Sequence, residues 1–144
     1  MKSCLILTGG KLNLAFARSF LEKEHFDKVI AVDGGLESAE ALGITPDYIV
    51  GDFDTVSGEV VERFRNLPFI VWEQHKPEKN ETDTELARSR ALTLGCEKLV
   101  FLGATGGRLD HMLGNLHALY ACLEKGIDAS LVDTQNRIYL LDQG

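Results

Sequence analysis

The sequence predicts an α/β fold, a doubly wound and mostly parallel sheet of Rossmann-like type, and three observations lead to it. Short apolar runs alternate with helical segments five times. The runs are continuously apolar, as expected of strands covered on both faces. Three of them finish in acid or glycine, at the sheet edge where open α/β folds place their ligands.

Cys4 to Leu7 is the first apolar run, closed by Thr8-Gly9-Gly10, and Leu12 to Glu24 follows with helical periodicity. Val29 to Val32 is a second strand, ending in Asp33-Gly34-Gly35; a short helix then runs to about Leu42, where Gly43 stops it. Thr45-Pro46-Asp47 turns into the strand Tyr48-Ile49-Val50. Ser57 can cap a helix reaching Asn66, with Glu59 in its first turn. Phe69 to Trp72 is predicted as the fourth strand, and a helix from Thr82 to about Leu94 follows a polar loop. Leu99 to Leu102 is the fifth strand and Leu109 to Lys125 a longer helix. Ala129–Val132 and Ile138–Leu141 are late strands with no helix between them, and read as the opening of a second, all-β piece.

The 144 residues suit one domain with a real core, and nothing is repeated or low in complexity. A formal charge of −7 argues against a surface that coats nucleic acid, though a metal ion can still join carboxylates to small anions. Cys4, Cys96 and Cys122 are odd in number and scattered, which suggests reduced thiols. No apolar stretch approaches the roughly 20 residues needed to cross a bilayer, and no signal-peptide core follows Met1. A soluble cytoplasmic protein without a membrane partner is expected.

The chemistry concentrates in two stretches. In Gly51-Asp52-Phe53-Asp54 the carboxylates stand two apart, so on an extended backbone both share a face. Asp33 ends the preceding strand, and Asp83 and Asp110 stand at helix starts on the same sheet edge. Five acids there would repel one another unless a cation sat among them, and Mg²⁺ with substrate phosphates is the natural one. Each also has a structural explanation. Asp33 suits a turn, Thr82-x-x-Glu85 matches a capping box, and Asp83 and Asp110 suit helix dipoles. The second stretch, Gly103 to His111, sets glycines and Arg108 ahead of a helix, where main-chain N–H groups and a forked cation can meet phosphate. It is not a Walker A loop, since no Lys-Ser/Thr follows at the required spacing. His111 and Asn115 share a helix face, and Lys76 and Lys79 lie in the polar loop before Asp83.

These blocks (AVDGG at 31–35, GDFDTV at 51–56, EKNETDTELA at 78–87 and GATGGRLDHMLGNL at 103–116) resemble those of the thiamine pyrophosphokinase family, in family order and spacing. The resemblance implies transfer of diphosphate from ATP to the hydroxyl of thiamine, giving thiamine diphosphate and AMP, with Mg²⁺. It implies Asp52, Asp54 and Asp83 on the metal and polyphosphate, and Arg108 and Asp110 at the phosphate and acceptor side. Asp33 would lie near the nucleotide, with Gly34, Lys79, Thr82, Gly106, Gly107, His111 and Asn115 completing the cofactor-binding set. Asp110 or Asp52 would accept the hydroxyl proton. Two departures from the family pattern stand out: Asn80 occupies a position where the family often shows an acid, and only the first strands of the family's C-terminal β-sandwich are expected in this chain. Residues 1–130 are therefore expected to form the catalytic, ATP-binding domain, and 131–144 the incomplete start of a thiamine-binding β domain. The family's homodimeric assembly, with sites completed across subunits, is expected too. The rivals are a haloacid-dehalogenase-type phosphatase using Asp52 as nucleophile, and a non-catalytic nucleotide-binding module.

Overall fold

Cys4-Leu5-Ile6-Leu7 contains no charge and no helix-favouring pattern, and it becomes the centre of the sheet. The computed structural model describes residues 2–9, 12–51, 58–74, 83–103, 122, 126–132 and 137–138. Among them the strands are β1 (Ser3–Leu7), β2 (Lys28–Val32), β3 (Tyr48–Gly51), β4 (Val71–Gln74), β5 (Lys98–Leu102), β6 (Asp128–Val132) and β7 (Arg137–Ile138). The helices are α1 (Leu14–Lys23), α2 (Gly35–Leu42), α3 (Gly58–Arg65) and α4 (Asp83–Thr93). The strand order is β4-β3-β2-β1-β5-β6-β7. All neighbours are parallel except β6 and β7. β1 pairs with β2 on one side and β5 on the other, so the winding direction reverses between β1 and β5.

Successive side chains point to opposite faces, and both faces are covered. Leu5, Leu7, Ala31, Ile49, Val100 and Leu102 pack under Ala17 of α1, Leu36 and Ala39 of α2, and Val60 and Phe64 of α3. Cys4, Ile6, Ile30, Val32, Val50, Leu99 and Phe101 face Ala87 and Ala91 of α4, together with Cys122. Each fully buried Leu, Ile or Phe contributes roughly 1.5–3 kcal/mol, so the central strands carry most of the hydrophobic stabilisation. The three cysteines are free thiols, as expected, and all three are buried.

Local chemistry sets the element ends. Asn13 caps α1 by accepting the Phe16 N–H at 2.9 Å, so this helix starts two residues later than periodicity predicts. Gly43, at φ 71°, ends α2 where Gly was expected to stop it. At the amino edge, Asp27 ties β1 to the start of β2: its carboxylate accepts the Ser3 N–H at 2.9 Å, and its own N–H donates to Ser3 O.

Two expectations shift. The fourth strand begins at Val71, not Phe69, because Phe69 sits in a turn at φ 70° with its side chain 97% exposed. Pairing with Tyr48 through Val71 sets the register that local propensity could not supply. Ala129–Val132 does not open a separate sheet. It lies within β6, parallel to β5, and β7 then adds the one antiparallel pair. The helix expected over 109–125 lies outside the described residues except for Cys122, which is helical.

Candidate functional site

The carboxyl ends of β1, β2 and β3 meet closely because glycines occupy the points of contact. A Cβ on Gly35 would lie 2.0 Å from Leu7 O, so the start of α2 can press against the end of β1 only without a side chain. A Cβ on Gly9 would come within 3.2 Å of Gly34 Cα, and one on Gly34 within 3.1 Å of Gly9 Cα. The turns after β1 and β2 therefore touch through main chain. Thr8 closes the other side of β1: its N–H (2.9 Å) and its hydroxyl (3.2 Å) both donate to Leu102 O at the end of β5. This is the crevice where the winding reverses, the usual ligand position of such sheets.

Asp33 stands in the middle of this rim. Its N–H donates to Val50 O, and its carbonyl accepts the Leu36 N–H, each at 3.0 Å, so β3 and the first turn of α2 both hold its backbone. Its φ is 46°, a left-handed conformation that Asp adopts more readily than most residues. The half-buried carboxylate lies over Gly51: a Cβ there would sit 1.9 Å from Asp33 Oδ1. Gly51 itself has φ 142°, a conformation available mainly to glycine. The last residue before Asp52 is thus shaped around the acid that ends the neighbouring strand.

Of the expected site residues, the structure brings Asp33 and Gly34 together with Gly51 at this edge. Asp83 begins α4. Asp52, Asp54, Lys79, Thr82, Gly106, Gly107, Arg108, Asp110, His111 and Asn115 lie outside the described residues. Among the described residues, no three His, Cys, Asp or Glu side chains form a metal-sized group. What the described part of this edge offers is the Asp33 carboxylate and main chain left open by glycine.

A second polar cluster escaped the sequence reading. Arg90 of α4 grips Glu73 of β4 with both forks, Nη2 to Oε1 at 2.6 Å and Nε to Oε2. The Tyr48 hydroxyl donates to the same Glu73 Oε2 at 3.1 Å, and the guanidinium lies 6.0 Å from the Tyr48 ring centre. Burial, then the bond to Glu73, pushes the Tyr48 phenol above its ordinary value, so it remains a donor at neutral pH. These residues lie 17 and 25 positions apart in pairs, and no local pattern announces them.

Comparison with known proteins places this architecture. The family model described as thiamin pyrophosphokinase, catalytic domain, matches residues 21–131. The thiamine pyrophosphokinase of Bacillus subtilis (strain 168) is 33% identical over 144 residues, covering 100% of this chain and 66% of its own. The crystal structure of thiamine pyrophosphokinase from Bacillus subtilis superposes with a TM-score of 0.81 at 32% identity, over 96% of this chain and 63% of the other. That of thiamin pyrophosphokinase from Geobacillus thermodenitrificans gives 0.77 at 28% identity, over 95% of this chain and 62% of the other. The chain spans just under two thirds of the length of these relatives.

Proposed function

Because this chain belongs to the thiamin pyrophosphokinase family, we propose that it carries the ATP-binding half of an enzyme that transfers diphosphate from ATP to the hydroxyl of thiamine. The products are thiamine diphosphate and AMP. One observation supports this most directly: Asp33 and Gly51 are locked together at the rim formed by the ends of β1, β2 and β3, immediately before the acidic pair Asp52 and Asp54.

In this reading Asp52, Asp54 and Asp83 hold Mg²⁺, which when bound neutralises charge on the polyphosphate. Asp33 and Gly34 border the nucleotide, with Lys79, Thr82, Gly106, Gly107, His111 and Asn115. Arg108 holds the moving diphosphate through its forked donors and stabilises the charge that develops on it. Asp110 or Asp52 accepts the proton of the thiamine hydroxyl, whose attack at the β-phosphorus depends mainly on alignment. Leu131, Val132 and β7 pair within the α/β sheet, so in this proposal a thiamine-binding β domain opens only after β7. A cytoplasmic homodimer with sites completed across subunits belongs to the same proposal.

The phosphatase reading has less support. Its Asp-x-Asp signature normally follows the first strand, whereas here the acids follow β3, two places from β1 in the sheet. The test is to mix the chain with ATP, Mg²⁺ and thiamine and assay AMP and thiamine diphosphate together. Their appearance in equal amounts, dependent on thiamine, is the expected result. Binding of an ATP analogue with Mg²⁺ but no turnover would leave the non-catalytic module. Release of phosphate from a phosphate monoester through a phosphoenzyme would restore the phosphatase.

A further inference from the structure

We infer that the Tyr48–Glu73–Arg90 cluster is a positioning device that fixes the last turn of α4 against the sheet and, through the helix, the Asp83 end of α4; the inference rests on the function proposed above. Three facts lead there.

The first is how α4 packs on the sheet among the described residues. Its sheet-facing residues are Ala87 and Ala91, with Leu86 and Leu94 packed at the side. Alanines bury little area, and apolar contact is non-directional, so it resists sliding or turning of the helix only weakly. A bidentate guanidinium–carboxylate pair fixes both distance and orientation.

The second is where the pair sits. Glu73 lies opposite Val50 in the β3–β4 register, so it stands on the α4 face of the sheet, one residue before β4 ends. Arg90 lies seven residues after Asp83, about two turns at 3.6 residues per turn, which puts positions 83, 87 and 90 along one side of the helix. The pair therefore joins the strand that enters residues 75–82 to the helix that leaves them. That segment contains Lys79 and Thr82 and runs directly into Asp83.

The third is that Tyr48 extends the same contacts to β3. β3 ends at Gly51, beneath Asp33 and immediately before Asp52. One cluster thus ties α4 to both strands whose ends lead to the proposed metal-binding acids. Removing it should loosen α4 relative to the end of β3 without touching any of the proposed ligands.

The experiment is calorimetric titration of the chain with a non-hydrolysable ATP analogue, with and without Mg²⁺, alongside thermal unfolding. The variants are Glu73→Gln, Arg90→Lys and Arg90→Met, plus the charge exchange that combines Glu73→Arg with Arg90→Glu. Glu73→Gln and Arg90→Met are expected to weaken Mg²⁺-dependent binding about tenfold, the lower end of what loss of a supporting contact costs a metal site. Binding without Mg²⁺ should change far less. Arg90→Lys keeps the charge and loses the fork, so it should fall between, and the exchange should recover part of the loss. If Arg90→Met does not fold, Glu73→Gln and Arg90→Lys decide the matter. Parental Mg²⁺-dependent affinity in folded Glu73→Gln and Arg90→Lys would overturn the inference. So would a loss of equal size with and without Mg²⁺, because that marks a general structural effect. A parent chain that binds no analogue under either condition overturns the proposed function, and this role falls with it.

Discussion

Asp33 Oδ1 occupies the space that a side chain at position 51 would need, 1.9 Å from where a Cβ would stand. Gly51→Ala therefore has to move the carboxylate and also accept a backbone at φ 142° that L-residues rarely adopt. The expected cost is about 1–3 kcal/mol from the backbone alone, read as a lower midpoint in urea denaturation. A variant with the parental midpoint would mean that the two strand ends are not fitted together in solution.

Asp33 itself separates conformation from charge. Its φ of 46° suits Asn at least as well as Asp, so Asp33→Asn should unfold at nearly the parental temperature. Asp33→Ala loses that tolerance, and should be less stable by about 1–2 kcal/mol. If Asp33 borders the nucleotide as proposed, both substitutions should weaken binding of an ATP analogue with Mg²⁺. Calorimetry on the folded Asn variant gives the clean comparison.

Asp52→Asn keeps the shape of the side chain and removes its charge. The expected outcome is a folded protein that has lost Mg²⁺-dependent turnover, checked by circular dichroism beside an assay for AMP. Most of the parental activity surviving in this variant would argue strongly against Asp52 as a metal residue.

Asp27 gives a pH signature. The Ser3 N–H beside it holds its carboxyl below the usual value of 3.8, aided by the Ser3 hydroxyl. A depressed folded value means that the contribution is complete above the unfolded pKa and is lost as pH falls through the folded one. Asp27→Asn should therefore lower the melting temperature at pH 7, with the gap from the parent closing progressively below about pH 4. A gap that stays constant down to pH 2 would assign Asp27 a role independent of its charge.

Much of this architecture is legible from residue type because local chemistry decides it. β1, β2 and β5 are unbroken apolar runs, and Gly43 ends α2 through a left-handed conformation that its identity advertises. Phe69 shows the limit: it looks like the start of a strand, but the pairing of Val71 with Tyr48 begins the strand later and leaves the ring in solvent. At the site, Asp33 and Gly34 stood out as a strand-end pattern. The role of Gly51 beneath Asp33 did not, since it depends on two strands lying side by side. Glu73 and Arg90 were hidden for the same reason: each is an ordinary surface residue in its own segment, and only the packing of α4 on β4 brings them together.

The mutual contact of Gly9 and Gly34 has a consequence for what a visiting molecule can sense there. A side chain at either position would crowd the other's main chain, so as glycines that part of the surface presents only amide and carbonyl groups, identical in every protein. It can test shape and polarity but is retuned by exchanging residues only where the facing main chain gives way. Any selectivity between one guest and another must come from neighbouring segments that retain the freedom to vary.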